Sequence, residues 1–130
     1  MTIQKIDHIN IIAPQPLLKI VRDFYVKVLG FEEGFRPDFS IPGYWLYQGK
    51  QAIIHLAESD EESRVPSQNG YLDHISFLCD DFDSVLNTLN KNNISFDKVT
   101  VPGTKACQLI FHDPSGLKFE LLFHPDNSNK

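Results

Sequence analysis

The stretch "KIDHINI" at residues 5–11 recurs as "YLDHISF" at residues 71–77. Each copy writes Asp-His-Ile at the start of an alternating apolar run, the pattern of a half-buried strand. The first alternation predicts a strand over 5–12, with Ile6, His8, Asn10 and Ile12 on one face and Asp7, Ile9 and Ile11 on the other. The second predicts a strand over 71–79, with Leu72, His74, Ser76 and Leu78 on one face and Asp73, Ile75, Phe77 and Cys79 opposite. Both histidines thus fall on the more polar face. The opposite faces are suited to packing beneath helices.

Working outward, Pro14 and Pro16 break the first strand and can open a helix, since proline is tolerated in a first turn. Leu17, Ile20, Val21, Phe24 and Val28 then make an apolar stripe at helical spacing, and Gly30 stops it. Strands are predicted at about 31–37, 44–48 and 51–57, with "GK" at 49–50 as a hairpin turn. The polar run "ESDEESRVPSQNG" at 58–70 reads as a solvated connection. After the second Asp-His-Ile the order returns. Asp81 or Asp83 can cap a helix carrying Phe82, Val85, Leu86 and Leu89, and Asn92 or Asn93 can end it. Strands follow at about 95–100, 105–112 and 117–123, with "DPSG" at 113–116 as a turn.

The halves align in three places. "IDHI" matches "LDHI" at an offset of 66 (74 − 8), "IPG" matches "VPG" at 60 (101 − 41), and His55 falls opposite Glu120 at 65 (120 − 55). Three matches in the same order point to an internal duplication. The expected fold is α+β: two βαβββ modules, about 4–58 and 70–124, joined by a linker at 59–69. Together they would form a curved mixed sheet in a single domain over 1–130.

Composition narrows the partners. A net charge of −5 without a basic stripe argues against nucleic acid. Cys79 and Cys107 form no CxxC pair, which suits a reducing, cytoplasmic setting. "MTIQKID" lacks an apolar signal core, and no apolar run approaches the roughly 18–20 residues of a membrane span.

Equivalent strands therefore carry His8 and His74, and a second equivalent pair carries His55 and Glu120. If the two sheets face into one trough, four side chains converge there. Imidazoles with one carboxylate are the donors a divalent transition metal such as Zn, Ni, Mn or Fe accepts. Around them, Arg36 can fork onto a substrate carboxylate or phosphate. Trp45 and Tyr47 can line an apolar pocket wall, Asn10 shares the His8 face as a substrate contact, and His112 can act as a second acid or base.

The strings "IDHINI", "FYVKVLGF" at 24–31, "LDHISF" and "FHDPSGLKFELLF" at 111–123, in this order, resemble the vicinal oxygen chelate superfamily. It includes glyoxalase I, extradiol dioxygenases and the bleomycin resistance proteins. "GYWLYQGKQAIIHLAE" is similar to its small glyoxalase-like members. The resemblance implies paired βαβββ modules, a homodimer, and a divalent metal held by His8, His74 and Glu120 with His55 as a fourth position. It also implies Glu120 as a proton carrier. The expected function is that of a metal-dependent lyase or isomerase on a small oxygen-rich metabolite, stabilising an enediolate-like or oxyanion intermediate. His55 departs from the carboxylate or amide of glyoxalase I at that position. Two alternatives follow: an extradiol-type dioxygenase with a two-His, one-carboxylate Fe(II) site, and a metal-free, ligand-sequestering protein like the bleomycin resistance members.

Overall fold

Strands form where branched and aromatic side chains recur at every second residue, and prolines mark where pairing must stop. The computed structural model describes residues 5–59 and 74–125, together with Met1 and Leu72. Its elements are β1 (Ile9–Ala13), α1 (Leu17–Lys27), β2 (Glu32–Gly34), β3 (Gly43–Gln48), β4 (Gln51–Glu58), β5 (Ile75–Cys79), α2 (Phe82–Lys91), β6 (Asp97–Thr100), β7 (Cys107–His112) and β8 (Lys118–Phe123). The β-α-β-β-β order thus occurs twice. The chain divides into two compact units, Met1–Val65 and Pro66–Lys130. The expected linker, apart from Ser59, lies outside the described residues. No described helix is long and apolar enough to cross a membrane.

Each unit contains one four-stranded mixed sheet, ordered β1-β4-β3-β2 in the first and β5-β8-β7-β6 in the second. β1 runs parallel to β4, and β5 runs parallel to β8. Such pairs need a long crossover, and α1 with its hairpin, or α2 with its hairpin, supplies it. In the first unit the apolar face carries fully buried Leu46 and Ile54, with Leu18, Val21 and Tyr25 of α1 also fully buried. The second unit buries Leu89 of α2 with Leu109, Phe111, Phe119 and Leu121.

The structure corrects several local expectations. β1 begins at Ile9, because its ladder to β4 starts with Ile9 opposite Ile54. Asp7 and His8 therefore precede the strand and are free of its alternation. The buried stripe of α1 is Leu18, Val21, Phe24 and Tyr25, while Ile20 stays 51% exposed. The helix offers two overlapping apolar rows, and packing chose the one carrying Tyr25, whose ring meets Phe24 and Phe31 edge-on. β2 stops at Gly34, before Pro37 removes a backbone donor.

The 60-residue match of "IPG" to "VPG" is also overturned. Trp45 pairs with His55 and Ile110 with Glu120, an offset of 65 (110 − 45) that holds from Gly43 to Leu46 and ends at the register shift before Tyr47. Gly43 opens β3 opposite Ala57, whereas Gly103 sits in the β6–β7 turn at φ +77. Pro-Gly recurs there because it is common turn chemistry.

Asp113 anchors the β7–β8 turn. It is 4% exposed, and its Oδ1 accepts from Ser115 N (2.8 Å), Ser115 Oγ (2.6 Å) and Leu117 N (3.0 Å). Asp113→Ala strips those half-buried donors of their acceptor and is expected to destabilise the protein by about 1–3 kcal/mol, measured by urea unfolding. Asp113→Asn keeps an acceptor oxygen and should lose less. No loss in Asp113→Ala would show that the turn does not depend on this acceptor.

Candidate functional site

In the first unit the face away from α1 carries the chemistry. Parallel pairing sets Asn10 beside His55, and antiparallel pairing sets Trp45 on the other side of His55. The rings form a stack. Trp45 and His55 lie 4.0 Å apart at 12°, and His55 and His8 lie 3.8 Å apart at 8°. Phe39 leans on Trp45 at 6.2 Å.

Each imidazole is held by a second group. The Asp7 carboxylate accepts from His8 Nδ1 at 2.8 Å, and that bond keeps the Asp7 carboxyl below the usual carboxylate range. His55 Nε2 donates to the Ala52 carbonyl at 3.0 Å, beside the register shift between Leu46 and Tyr47. Because a carbonyl can only accept, this bond places hydrogen on Nε2 and directs His55 to present Nδ1. His8, tied through Nδ1, presents Nε2. A ring nitrogen donated to a carboxylate or carbonyl is how metal-ligating histidines are commonly oriented. Burial first, and then the neighbouring His8 charge, push His55 below the ordinary imidazole value. The Ala52 bond opposes them, and the Arg36 charge adds to the depression.

An ion lies in the plane of each imidazole that binds it. Parallel rings 3.8 Å apart therefore cannot both aim at one ion while stacked. The flat sandwich makes His55 a plate between Trp45 and His8 rather than a ready ligand.

Asn10 is exposed on the same face. Tyr47 packs its ring where a side chain on Gly34 would stand, and its hydroxyl donates to the Phe35 carbonyl. Lys5, Trp45, Tyr47, Lys50 and His55 help line a cleft of about 360 Å³. Arg36 lies against the bare Cα of Gly43, with its guanidinium 4.9 Å from the Phe39 ring.

In the second unit Glu120 holds the position of His55. Its Oε2 lies 3.1 Å from His74 Nε2, and its Oε1 accepts from Gln108 Nε2 at 2.8 Å. The carboxylate is 13% exposed and His74 35%. Two donors bound at about 2.0–2.2 Å to one ion stand roughly 3–3.5 Å apart, so this pair already has a ligand-like spacing. His112 is exposed at the end of β7, opposite Lys118, and among the described residues the Glu120 oxygens meet His74 and Gln108, not His112. Neither unit, among its described residues, holds by itself three or more His, Cys, Asp or Glu side chains able to grip an ion.

Comparison with known proteins decides the family. Residues 5–121 match the model of the Glyoxalase/Bleomycin resistance protein/Dioxygenase superfamily. The chain belongs to this superfamily. It is 35% identical over 105 residues to Glyoxylase I 4 of Arabidopsis thaliana, covering 76% of this chain and 60% of that relative's length. A glyoxalase family protein of known structure from Enterococcus faecalis is 28% identical, with a TM-score of 0.69 over 94% of this chain and 99% of the other. The glyoxylase/bleomycin resistance protein/dioxygenase domain from Frankia sp. EAN1pec shares the fold, with a TM-score of 0.75 at 19% identity over 97% and 96% of the two chains.

For a superfamily member, Asp7, Ala52, Phe39 and Gln108 are the residues sequence reading missed. Asp7 was visible as the neighbour of His8 in the repeated Asp-His-Ile; its counterpart Asp73 lies outside the described residues. Gln108 carried no local signal, because its partner is twelve residues away across a hairpin.

Trp45 is the chain's single tryptophan, so its emission reports on the stack. With His55 depressed, the fold disfavours its cation. The stability carried by neutral His55 is present above the ordinary imidazole pKa and is lost as pH falls through the lower folded value. Trp45 fluorescence should therefore titrate with a midpoint below about 6.5. His8→Ala removes both a covering ring and a neighbouring charge and should raise that midpoint. A midpoint at or above the ordinary value would contradict the stacked geometry.

Proposed function

We propose that this chain is a divalent-metal-dependent, glyoxalase-like enzyme of lyase or isomerase type acting on a small oxygen-rich metabolite. The carrying observation is the preformed His74–Glu120 pair at 3.1 Å, oriented by Gln108. The likeness to Glyoxylase I 4 supports the reaction class. In this reading the two modules form one domain, and His8, His74 and Glu120 are the donors to the ion. His55 joins them only if its ring leaves the stack. A bound divalent ion would polarise a substrate carbonyl and offset charge developing on its oxygen. Glu120 would be the acidic group that takes a proton from the adjacent carbon, and Gln108 holds its other oxygen so that the carboxylate keeps one orientation. Asn10, Trp45, Tyr47 and Arg36 would position the substrate on the first unit. His112, at the exposed end of β7, would be the second acid or base that returns a proton to the substrate. A homodimer and a cytoplasmic setting belong to the same proposal; the unbridged Cys79 and Cys107 support the second.

One observation favours a dioxygenase as the second reading. With His55 held flat between two rings, the remaining donors are two histidines and one carboxylate, the set of non-haem Fe(II) oxygenases.

Elemental analysis of purified protein, followed by titration with Zn, Ni, Mn and Fe, tests the proposal. His8→Ala and Glu120→Gln are expected to abolish stoichiometric metal and activity, and His55→Ala to keep the metal. Gln108→Ala should weaken metal binding about 10–100-fold, as loss of a ligand-orienting bond does. Unchanged metal and turnover in His8→Ala and Glu120→Gln would sink the assignment.

A further inference from the structure

The first unit contains two half-buried arginines with opposite surroundings. Arg22 meets Asp23 at 3.0 Å and Glu33 at 3.2 Å, and lies over the Tyr44 ring. Arg36 faces the Phe39 ring alone. Its Nε is buried and has no hydrogen-bond partner, and among the described residues no carboxylate pairs with it. A cation withdrawn from water without an anion is unfavourable, so proteins pair such groups or leave them for a ligand.

The surroundings of Arg36 are also constructed. A side chain on Gly43 would strike the Leu56 carbonyl and come within 2.9 Å of Arg36 Nη2, so the missing Cβ is what lets the guanidinium lie on the strand. Gly43 is two residues from Trp45, so both are on the His55 side of the sheet. Phe39 covers the guanidinium and leans on Trp45. The Phe35, Phe39 and Ile41 side chains of the same loop remain 75%, 51% and 53% exposed. A fork-shaped cation thus sits at the edge of an apolar, aromatic wall.

We infer that Arg36 is the receptor for a carboxylate, and that the molecule this site accepts is a carboxylic acid with an apolar or aromatic body resting on Phe39 and Trp45. The inference deepens the proposed function by naming the substrate class. A planar carboxylate matches the guanidinium fork through two parallel hydrogen bonds.

The test uses metal-stripped protein and simple probes, read by Trp45 fluorescence and calorimetry. Phenylacetate should bind saturably, and its neutral analogue phenylacetamide should bind at least roughly tenfold more weakly, the loss of a charge-assisted hydrogen bond. Acetate, which lacks the ring, should bind more weakly than phenylacetate, and Phe39→Ala should narrow that difference. Arg36→Gln should abolish the preference for acid over amide, and Arg36→Lys should keep part of it. Phenylacetate should raise the melting temperature of the wild type and not of Arg36→Gln, a difference a purely structural arginine would not produce. Equal binding of acid and amide by the wild type overturns the inference without need of any variant. So does undiminished acid binding in Arg36→Gln, or inorganic phosphate binding more tightly than phenylacetate. Because the probes bind without metal, their failure leaves the metal assignment standing, and loss of the metal assignment leaves this one standing.

Discussion

Everything at the candidate site depends on one backbone arrangement, the parallel pairing of the first strand of each unit with its last. That pairing puts Asn10 beside His55 and Ser76 beside Glu120. The residue two positions earlier, His8 or His74, then reaches the same central side chain. A slip of one residue would turn Asn10, His55, Ser76 and Glu120 to the helix-packed face, because side chains alternate along a strand. The buried rows at Ile54 and Leu56, and at Phe119 and Leu121, hold the register by making such a slip expose the core.

The shared frame is used differently by the two units. In the first, an imidazole at the central position is clamped as a flat plate between an indole and a second imidazole. In the second, a carboxylate at the same position is tied to an imidazole and an amide. The equivalent positions differ in more than one residue: His55 lies beside Trp45 and stacks, whereas Glu120 lies beside Ile110 and is bound by Gln108, so one unit holds aromatic stacking and the other charge-assisted hydrogen bonding. Superfamily membership explains the frame, and the functional reading rests on the asymmetry between the two units.

The Arg36 environment illustrates how an unsatisfied group can carry information. Arg22 and Arg36 are the same residue type at similar depth in one unit, yet only Arg22 is neutralised by neighbours. The loop that carries Arg36 is fastened at its base by the Tyr47 hydroxyl, and Gly43 leaves room for the guanidinium. These two features, with Phe39 over the guanidinium, hold the cation in place, which is what a preorganised ligand contact requires.

Much of this was legible in the chain alone. Alternation, proline breaks and the Asp-His-Ile repeat specified the two βαβββ modules, and matching positions in the repeat singled out His8, His74, His55 and Glu120. These are local properties, written in runs of a few residues. Register, partner choice and ring orientation are not local. The erroneous Pro-Gly match arose because turn dipeptides recur without structural equivalence, while the true 65-residue correspondence is set by ladder hydrogen bonds between distant segments. The stripe of α1 could be read in two rows, and only the sheet beneath it selected Tyr25 over Ile20. Gln108, Phe39 and Gly43 acquired their roles from side chains folded onto them across a hairpin or a loop, so no spacing rule within a single strand could have singled them out.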